Sequence, residues 1–116
     1  MKPALRRLHS PDAHDLRAFV PSSAAFSLLV QLLLGPSDGP GEESFDVVVC
    51  SPEWLAERGK PTIGLHHIIL ARYDYDELLG VVLDYLEGCD GNDWAEVAAK
   101  VGRLGRWEFE DYRPEG

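Results

Sequence analysis

Three acidic side chains, Glu42, Glu43 and Asp46, lie close together where a glycine- and proline-rich stretch gives way to β-branched residues. Paired carboxylates can exchange protons with a substrate when burial or a neighbouring charge separates their pKa values. The preceding letters, GPSDGPG, are typical of a solvated turn and give no sign of such burial. Three interpretations stay open: a solvated loop, a partner-binding surface, or a small acid/base hydrolase that also uses His67.

Adjacent histidines, His66 and His67, suggest a metal site at first sight. Neighbouring side chains on a strand point to opposite faces, so the two rings cannot reach one ion without an irregular backbone. We expect one imidazole to pack inside with a hydrogen bond and the other to meet solvent. The chain also lacks a nucleophile elbow, a phosphate-binding glycine loop and a zinc-ligand spacing. We therefore predict no catalytic residue, no metal and no cofactor.

Negative charge dominates the chain, with 20 acidic against 11 basic residues and a formal net charge of -9. Binding to nucleic acid or to an anionic membrane needs a basic surface, so we expect neither, and a basic partner instead. The N-terminal MKPALRRLHSPD has no apolar run behind it, and FSLLVQLLLG is about half the length of a bilayer-spanning helix. Because Cys50 and Cys89 form no disulfide-rich pattern, we expect a cytoplasmic protein.

Carboxylates concentrate in two further segments. Every charged residue between positions 74 and 96 is acidic, and a surface of one sign aids solubility or binding but does nothing for the fold. A second acidic row lies near the C-terminus, within RWEFEDY, residues 106–112. Together with the first three acids, the candidate partner-binding residues are Glu42, Glu43, Asp46, Asp76, Glu77, Asp84, Glu87, Glu108, Glu110, Asp111 and Tyr112.

The aromatic residues of RWEFEDY give this segment a reason to be ordered. In an extended conformation Trp107 and Phe109 point to one face, while Arg106, Glu108 and Glu110 point to the other. Burying a Phe-sized side chain is worth roughly 1.5–3 kcal/mol, which is enough to hold down a terminal segment. We expect the rings to pack inward and the acids to form a fixed, solvated row.

Hydrophobic periodicity predicts the strands that must position these residues. Extended segments are expected at 4–9, 26–34, 44–50 and 66–73, and the second and third form a hairpin. Segment 26–34 is apolar on both sides, which predicts a central strand covered on both faces. Cys50, at the end of the third segment, is expected to be buried as a small hydrophobe.

Helices follow from capping signals and apolar spacing. Ser51 and Pro52 begin a short helix that we expect to end at Gly59. Asp74 begins a second helix, whose inner side is apolar and whose outer side is expected to be purely acidic. A third helix follows Asn92 or Asp93, and the tryptophans of the first and third helices, Trp54 and Trp94, are predicted to face the core.

These elements predict an α+β fold, with a mostly antiparallel sheet of about four or five strands packed against two amphipathic helices plus one short helix. The expected organisation is a single domain over residues 1–116. Residues 10–23 are expected to be mainly loop, and residues 113–116 are expected to form a flexible tail.

Three blocks, GEESFDVVVCSPEWL, HHIILARYDYD and WAEVAAKVGRLGRWEFEDY, together resemble the Immunity protein 8 family of bacterial polymorphic toxin systems. The resemblance runs over about residues 26–112 and excludes the less distinctive N-terminal part. It implies a cytoplasmic α+β antidote that binds a cognate toxin domain and so protects the producing cell and its kin. It carries over no catalytic residue and specifies no toxin chemistry.

The leading hypothesis is therefore an immunity protein that neutralises a basic toxin domain through an acidic surface. A nuclease is a plausible target, because a site that grips phosphate is basic. The alternatives are a small acid/base hydrolase and a module that binds a non-toxin protein. A free sheet edge would allow a homodimer, although no residue pattern indicates one.

Overall fold

The computed structural model describes residues 1–110. Within this range the chain forms one five-stranded sheet and three helices. The strands are β1 (Pro3–His9), β2 (Ser27–Pro36), β3 (Glu43–Cys50), β4 (His67–Ile69) and β5 (Arg106–Trp107). The helices are α1 (Pro52–Glu57), α2 (Tyr75–Glu87) and α3 (Trp94–Val101). The predicted α+β class and mostly antiparallel sheet are confirmed.

The sheet has the order β1-β2-β3-β4, and β5 also pairs with β3. The first three strands are antiparallel neighbours, whereas β4 runs parallel to β3 after a crossover that contains α1. The outer edge of β3 is shared between two short strands. Its last residues pair with β4, and Phe45 and Asp46 pair antiparallel with Trp107 and Arg106 of β5.

One face of the sheet forms the core. Alternate residues of β2 and β3 are buried there, and α2 and α3 add side chains three or four positions apart, as amphipathic helices do. The buried residues from these elements are Leu28, Val30, Leu32, Leu34, Phe45, Val47, Val49, Leu78, Val82, Leu86, Val97, Ala98 and Val101.

The opposite face of the sheet is open among the described residues, so the prediction that β2 is covered on both faces is wrong. Leu29 and Leu33 of β2 and Val48 of β3 alternate with the core residues and keep part of their surface in water. Both amphipathic helices pack on the same side of the sheet, with the core residues of β2 and β3. An apolar run on both sides of a strand predicts two buried faces only if the chain supplies two covering layers.

Capping side chains set the helix starts, as predicted. Ser51 Oγ accepts hydrogen bonds from Trp54 N at 3.3 Å and from Phe26 N at 3.0 Å, so one buried hydroxyl caps α1 and ties it to the start of β2. Asp74 and Asp93 cap α2 and α3 in the same way. Helix α1 ends at Glu57, earlier than the predicted Gly59.

The fourth strand is much shorter than the predicted segment 66–73. His66 has a φ of +60°, in the left-handed region that a strand excludes. Beyond β4 the chain turns away, and the Tyr73 hydroxyl donates a hydrogen bond to Leu16 O. The ring of Phe19 packs edge-on against Tyr73 at 5.0 Å between centroids. These contacts hold part of the N-terminal loop against the residues that precede α2.

Helix α1 buries no residue, so the placement of Trp54 in the core is wrong. Trp54 is half-buried, and the Arg58 guanidinium lies over its ring at 4.6 Å from the centroid. A six-residue helix offers too short a face to reach the core from the crossover. Trp94 packs against the core cluster, and Cys50 is fully buried, as both predictions stated.

Candidate functional site

The candidate acids fall into two groups that do not form one surface. One group lies where β3 pairs with β5, and the other lies along α2, which packs beside β1 at the far side of the sheet. The first group is Glu42, Glu43, Asp46, Glu108 and Glu110; the second is Asp76, Glu77, Asp84 and Glu87. Asp111 and Tyr112 lie outside the described residues.

On α2, three carboxylates have no counter-charge within residues 1–110. Glu77, Asp84 and Glu87 are exposed, and each side chain lacks an ion pair or hydrogen bond with the described part of the chain. Asp76 differs, because Arg17 Nη1 lies 3.3 Å from its Oδ1. The unpaired acids add negative charge to this helix but are not fixed in position.

The outer side of α2 is not purely acidic, contrary to the prediction. Val81 and Leu83 are each 44% exposed and Tyr85 is 39% exposed. The helix buries only a narrow stripe, so apolar residues on either side of that stripe remain in water. The carboxylates of α2 are therefore interleaved with apolar side chains.

Two acids of the first group, Glu43 and Glu108, accept the two crossed hydrogen bonds that join β5 to β3. Trp107 Nε1 donates to Glu43 Oε1 at 2.7 Å, and Ser44 N donates to Glu108 Oε1 at 3.1 Å. Glu108 N donates in turn to Ser44 O at 3.0 Å. Both side-chain bonds come from neutral donors, so each carboxylate is oriented without being neutralised by a cation. We call this region, residues 43–46 with 106–110, the β3–β5 corner.

The alternation predicted along RWEFEDY holds only as far as Trp107, whose ring stacks on Phe45 at 6.3 Å between centroids. The chain then turns, with Glu110 N donating to Trp107 O at 2.9 Å. Phe109 is 41% exposed and meets the indole edge-on at 5.5 Å, so its predicted burial is wrong. Strand β5 therefore ends at Trp107, opposite Phe45, because the chain turns there and not because β3 lacks further backbone.

Of the predicted row of terminal acids, Glu108 and Glu110 lie within the described residues, and both are exposed as expected. Glu110 Oε2 lies 3.5 Å from Arg106 Nε, because the turn brings these residues to the same side. Glu108 instead reaches back to β3. The two glutamates therefore have different partners and do not form a row of free charges.

Arg6 anchors the loop between β2 and β3. The Arg6 Nη2 donates to Pro36 O at 2.8 Å and to Gly39 O. A Cβ on Gly35 would lie 2.1 Å from Gly41 O, so the loop folds back closely enough that only glycine fits. The loop thus delivers the chain to the β3–β5 corner in a defined position.

The two remaining acids near the β3–β5 corner, Glu42 and Asp46, take no part in the crossed hydrogen bonds. Glu42 Oε1 lies 3.1 Å from Arg7 Nη2 in an exposed ion pair. Asp46 points to the open face of the sheet, opposite in parity to the buried Phe45. Its Oδ1 is enclosed and has no hydrogen-bond partner among the described residues.

The residues proposed for an acid/base site are not brought together. His67 lies opposite Val48, at the other end of β3 from Glu43. Its Nδ1 lies 2.8 Å from Leu65 O, and His66 Nε2 lies 2.7 Å from Gly102 O. Within residues 1–110 no group of three or more His, Cys, Asp or Glu is arranged to hold a metal ion.

The thiols offer no reactive nucleophile. Burial is the main cause that raises the pKa of Cys50 and of Cys89 above the ordinary value of 9.0, although nearby arginines oppose the shift. A thiol is nucleophilic as its thiolate, which burial disfavours here. Both cysteines are free and buried, so their chemistry is that of small core side chains.

A groove that the sequence did not predict adjoins the β3–β5 corner. It has a volume of about 470 Å³ and is lined by Leu65, Ala98, Trp107 and Phe109, with Arg103 and Glu110 among its polar residues. Leu65 and Ala98 come from parts of the chain distant from β5, so no local pattern indicates the groove. The corner therefore offers oriented carboxylates next to an apolar depression.

Comparison with known proteins identifies the family to which this chain belongs. No helix in the described range is long and apolar enough to cross a membrane. Searches of curated proteins and of solved structures found no match. The model of the family described as Immunity protein 8 matches residues 4–112 of the 116-residue chain, including the N-terminal part that the sequence blocks left out. The chain belongs to the Immunity protein 8 family, and it is an immunity protein whose family implies a toxin as its partner.

Proposed function

We propose that this immunity protein neutralises its cognate toxin in the cytoplasm of the producing cell by covering a basic site of the toxin with the β3–β5 corner. The observation that carries this proposal is the pair of crossed hydrogen bonds, Trp107 to Glu43 and Ser44 to Glu108. They orient the two carboxylates at the edge where β5 pairs with β3, and both donors are neutral groups. The exposed aromatic Phe109 and the adjoining groove supply apolar contact area beside that charge.

Pre-organisation favours the corner over α2 as the contact surface. Immobilising a flexible side chain on binding costs about 0.5–1.5 kcal/mol. Hydrogen bonds from Trp107 and Ser44 already hold Glu43 and Glu108. These two side chains therefore lose most of their rotamer freedom on folding and not on binding. Glu77, Asp84 and Glu87 have no such restraint within residues 1–110 and would lose their rotamer freedom when the toxin binds.

The acids of α2 then act at a distance. With a net charge of -9, the protein attracts a cationic toxin before contact, and complementary fields of this kind raise association rates. This effect depends on total charge and is screened by salt. The α2 carboxylates contribute to it without touching the toxin.

A nuclease domain is the toxin class that fits best with an acidic contact surface. An enzyme that holds the phosphates of DNA or RNA needs a positively charged site, and fixed carboxylates compete for the same cations. A complex at that site would exclude the nucleic acid. Inhibition would then require no chemistry from the immunity protein.

Rescue of poisoned cells tests the proposal directly. The toxin domain encoded beside the gene for this chain is expressed with the wild-type protein, with Glu108→Gln, or with Asp84→Asn as a control. Glutamine retains an oxygen that accepts the Ser44 N–H, so β5 stays docked while the charge is lost. We expect Glu108→Gln to weaken toxin binding by at least about 10-fold, because hydrogen bonds to charged groups contribute about 1.5–3 kcal/mol.

The Asp84→Asn control distinguishes the acids of α2 from those of the β3–β5 corner. Asp84→Asn removes the same charge from α2, and we expect affinity to change by less than about two-fold near physiological salt, where exposed charges are screened. Equal losses for both variants would place the contact surface on α2 instead. Failure of the wild-type protein to relieve killing would contradict the toxin pairing itself.

A further inference from the structure

Asp46 lies at the centre of the open face of the sheet. The strand register places Gln31 of β2 and Arg106 of β5 directly opposite it. Leu29 and Leu33 occupy the diagonal positions on β2, within reach of a side chain on the same face. The carboxylate therefore has polar residues directly across from it and partly buried apolar residues at the diagonal positions.

One oxygen of this carboxylate has no partner in the described part of the fold. Its Oδ1 is enclosed without a hydrogen-bond donor, although the residue as a whole is only partly buried. Arg106 is the cross-strand cation, yet its Nε forms an ion pair with Glu110 at 3.5 Å. An enclosed charged oxygen without a donor destabilises a protein, and aspartate is also a poor strand residue.

Cross-strand Arg106 is the one feature among residues 1–110 that favours an acid at this position, and its guanidinium already pairs with Glu110. Val48 and Leu29 beside it show that a β-branched or aliphatic side chain suits this face. Asp46 also has no part in the crossed hydrogen bonds that dock β5. The enclosed Oδ1, which has no donor among residues 1–110, is best explained by a partner that satisfies it.

We infer that Asp46 is the anchor for an arginine side chain of the toxin, with Leu29, Leu33 and Val48 forming the water-excluding border around that contact. This inference rests on the proposed function and names the partner's chemistry at the open face, next to the β3–β5 corner. A guanidinium can bind both carboxylate oxygens at once, and the soft terminal torsion of aspartate allows Oδ1 to turn outward.

The surrounding residues favour arginine from the toxin over other occupants. The aliphatic stem of arginine packs on leucine and valine while its planar head meets the carboxylate, and arginine is more weakly hydrated than lysine. Exclusion of water by the apolar border strengthens such a contact.

The test compares stability and binding in the same variants. Asp46→Val and Asp46→Asn are unfolded with urea and titrated with the inactivated toxin domain encoded beside the gene for this chain. We expect the urea midpoint of Asp46→Val to rise, since an unsatisfied carboxylate is replaced by a strand-forming apolar residue. We expect toxin affinity to fall by at least about 30-fold in both variants, as for removal of one partner of a buried charge pair.

Salt dependence and a control make the result specific. The loss should persist at high salt, because an enclosed pair is screened less than an exposed one. Asp38→Asn, which removes a carboxylate from the exposed β2–β3 loop, should leave affinity within about two-fold of wild type. If Asp46→Val folds poorly, the isosteric Asp46→Asn still reports binding with little change of shape.

The outcomes separate this inference from the proposed function. Wild-type affinity for both Asp46 variants, alongside weaker binding of Glu108→Gln, would overturn the arginine anchor and leave the corner intact. A lower urea midpoint for Asp46→Asn would assign Asp46 a structural role and also overturn the inference. Absence of binding between the wild-type protein and the toxin domain would overturn both.

Discussion

The indole Nε1 of Trp107 lies 2.7 Å from Oε1 of Glu43, and this hydrogen bond joins a two-residue strand near the chain's end to the first residue of the central strand β3. The same tryptophan stacks on the fully buried Phe45. Because β5 has so little backbone pairing of its own, these side-chain contacts decide whether the corner keeps its shape. The carboxylates available for a partner are thus positioned by the core.

Trp107→Phe should test that dependence. The aromatic stacking on Phe45 is retained, but the donor to Glu43 is lost, and removing one partner of such a bond costs about 1–3 kcal/mol. We expect a lower free energy of unfolding in urea and faster amide hydrogen exchange at Glu108. Trp54→Phe is the matched control, since α1 buries no residue, and its stability should change by less than about 0.5 kcal/mol. Equal effects of the two substitutions would count against the role of the Glu43 bond.

Arg6→Ala should release the loop between β2 and β3. Its guanidinium has carbonyl partners on Pro36 and Gly39, and several such bonds together contribute about 1–3 kcal/mol. We expect faster proteolysis within residues 37–42 and a lower unfolding midpoint. Arg7→Ala removes only the exposed ion pair with Glu42, which is worth about 0–1 kcal/mol. A loop that stays protease-resistant in Arg6→Ala would show that Gly35 packing alone holds it.

Gly80→Ala should stabilise α2. A Cβ at Gly80 meets no atom within 4 Å, and alanine is favoured over glycine by about 1 kcal/mol inside a helix. Urea unfolding should therefore shift to higher concentration. Gly35→Ala is the opposite case, because its Cβ would meet Gly41 O at 2.1 Å. Toxin affinity of Gly80→Ala should equal that of wild type, and a clear loss would mean that the toxin approaches the backbone of α2.

Alkaline pH should destabilise the protein through Tyr73. Burial is the main cause that raises the pKa of this phenol above its ordinary value of 10.0, with nearby Tyr75 and acids adding to it. The folded state therefore retains the proton longer than the unfolded state. The stability it contributes is complete below the unfolded pKa of 10.0 and is lost as pH rises through the folded pKa.

The thiols act in the same direction, since burial also raises the pKa of Cys50 and Cys89 above 9.0. The free energy of unfolding, measured by urea titration, should thus decline as pH rises above 9. Tyr73→Phe lowers overall stability, because the bond to Leu16 O is lost, but it should flatten the decline above pH 10. Tyr85→Phe, at an exposed position, serves as the control. If the free energy of unfolding declines above pH 10 in Tyr73→Phe as it does in wild type, groups other than Tyr73 cause the decline.

Local sequence determined much of this fold. The capping roles of Ser51, Asp74 and Asp93 could be predicted because a cap and its target lie within three residues of each other. The apolar stripe of α2 and the β2–β3 hairpin follow from periodicity and turn residues in the same way. The acidic character of the candidate residues is equally a property of composition.

Tertiary structure alone decided how those acids are used. Whether a carboxylate is paired, oriented or unsatisfied depends on residues far away in the chain, such as Arg17 for Asp76 and Trp107 for Glu43. Whether the second face of β2 is covered also depends on elements that are distant in the chain. Leu29 and Leu33 have the pattern of a buried strand, but both helices that could cover them pack on the other side. Periodicity reports which side chains prefer burial, whereas only the packing of distant elements determines which of them water still reaches.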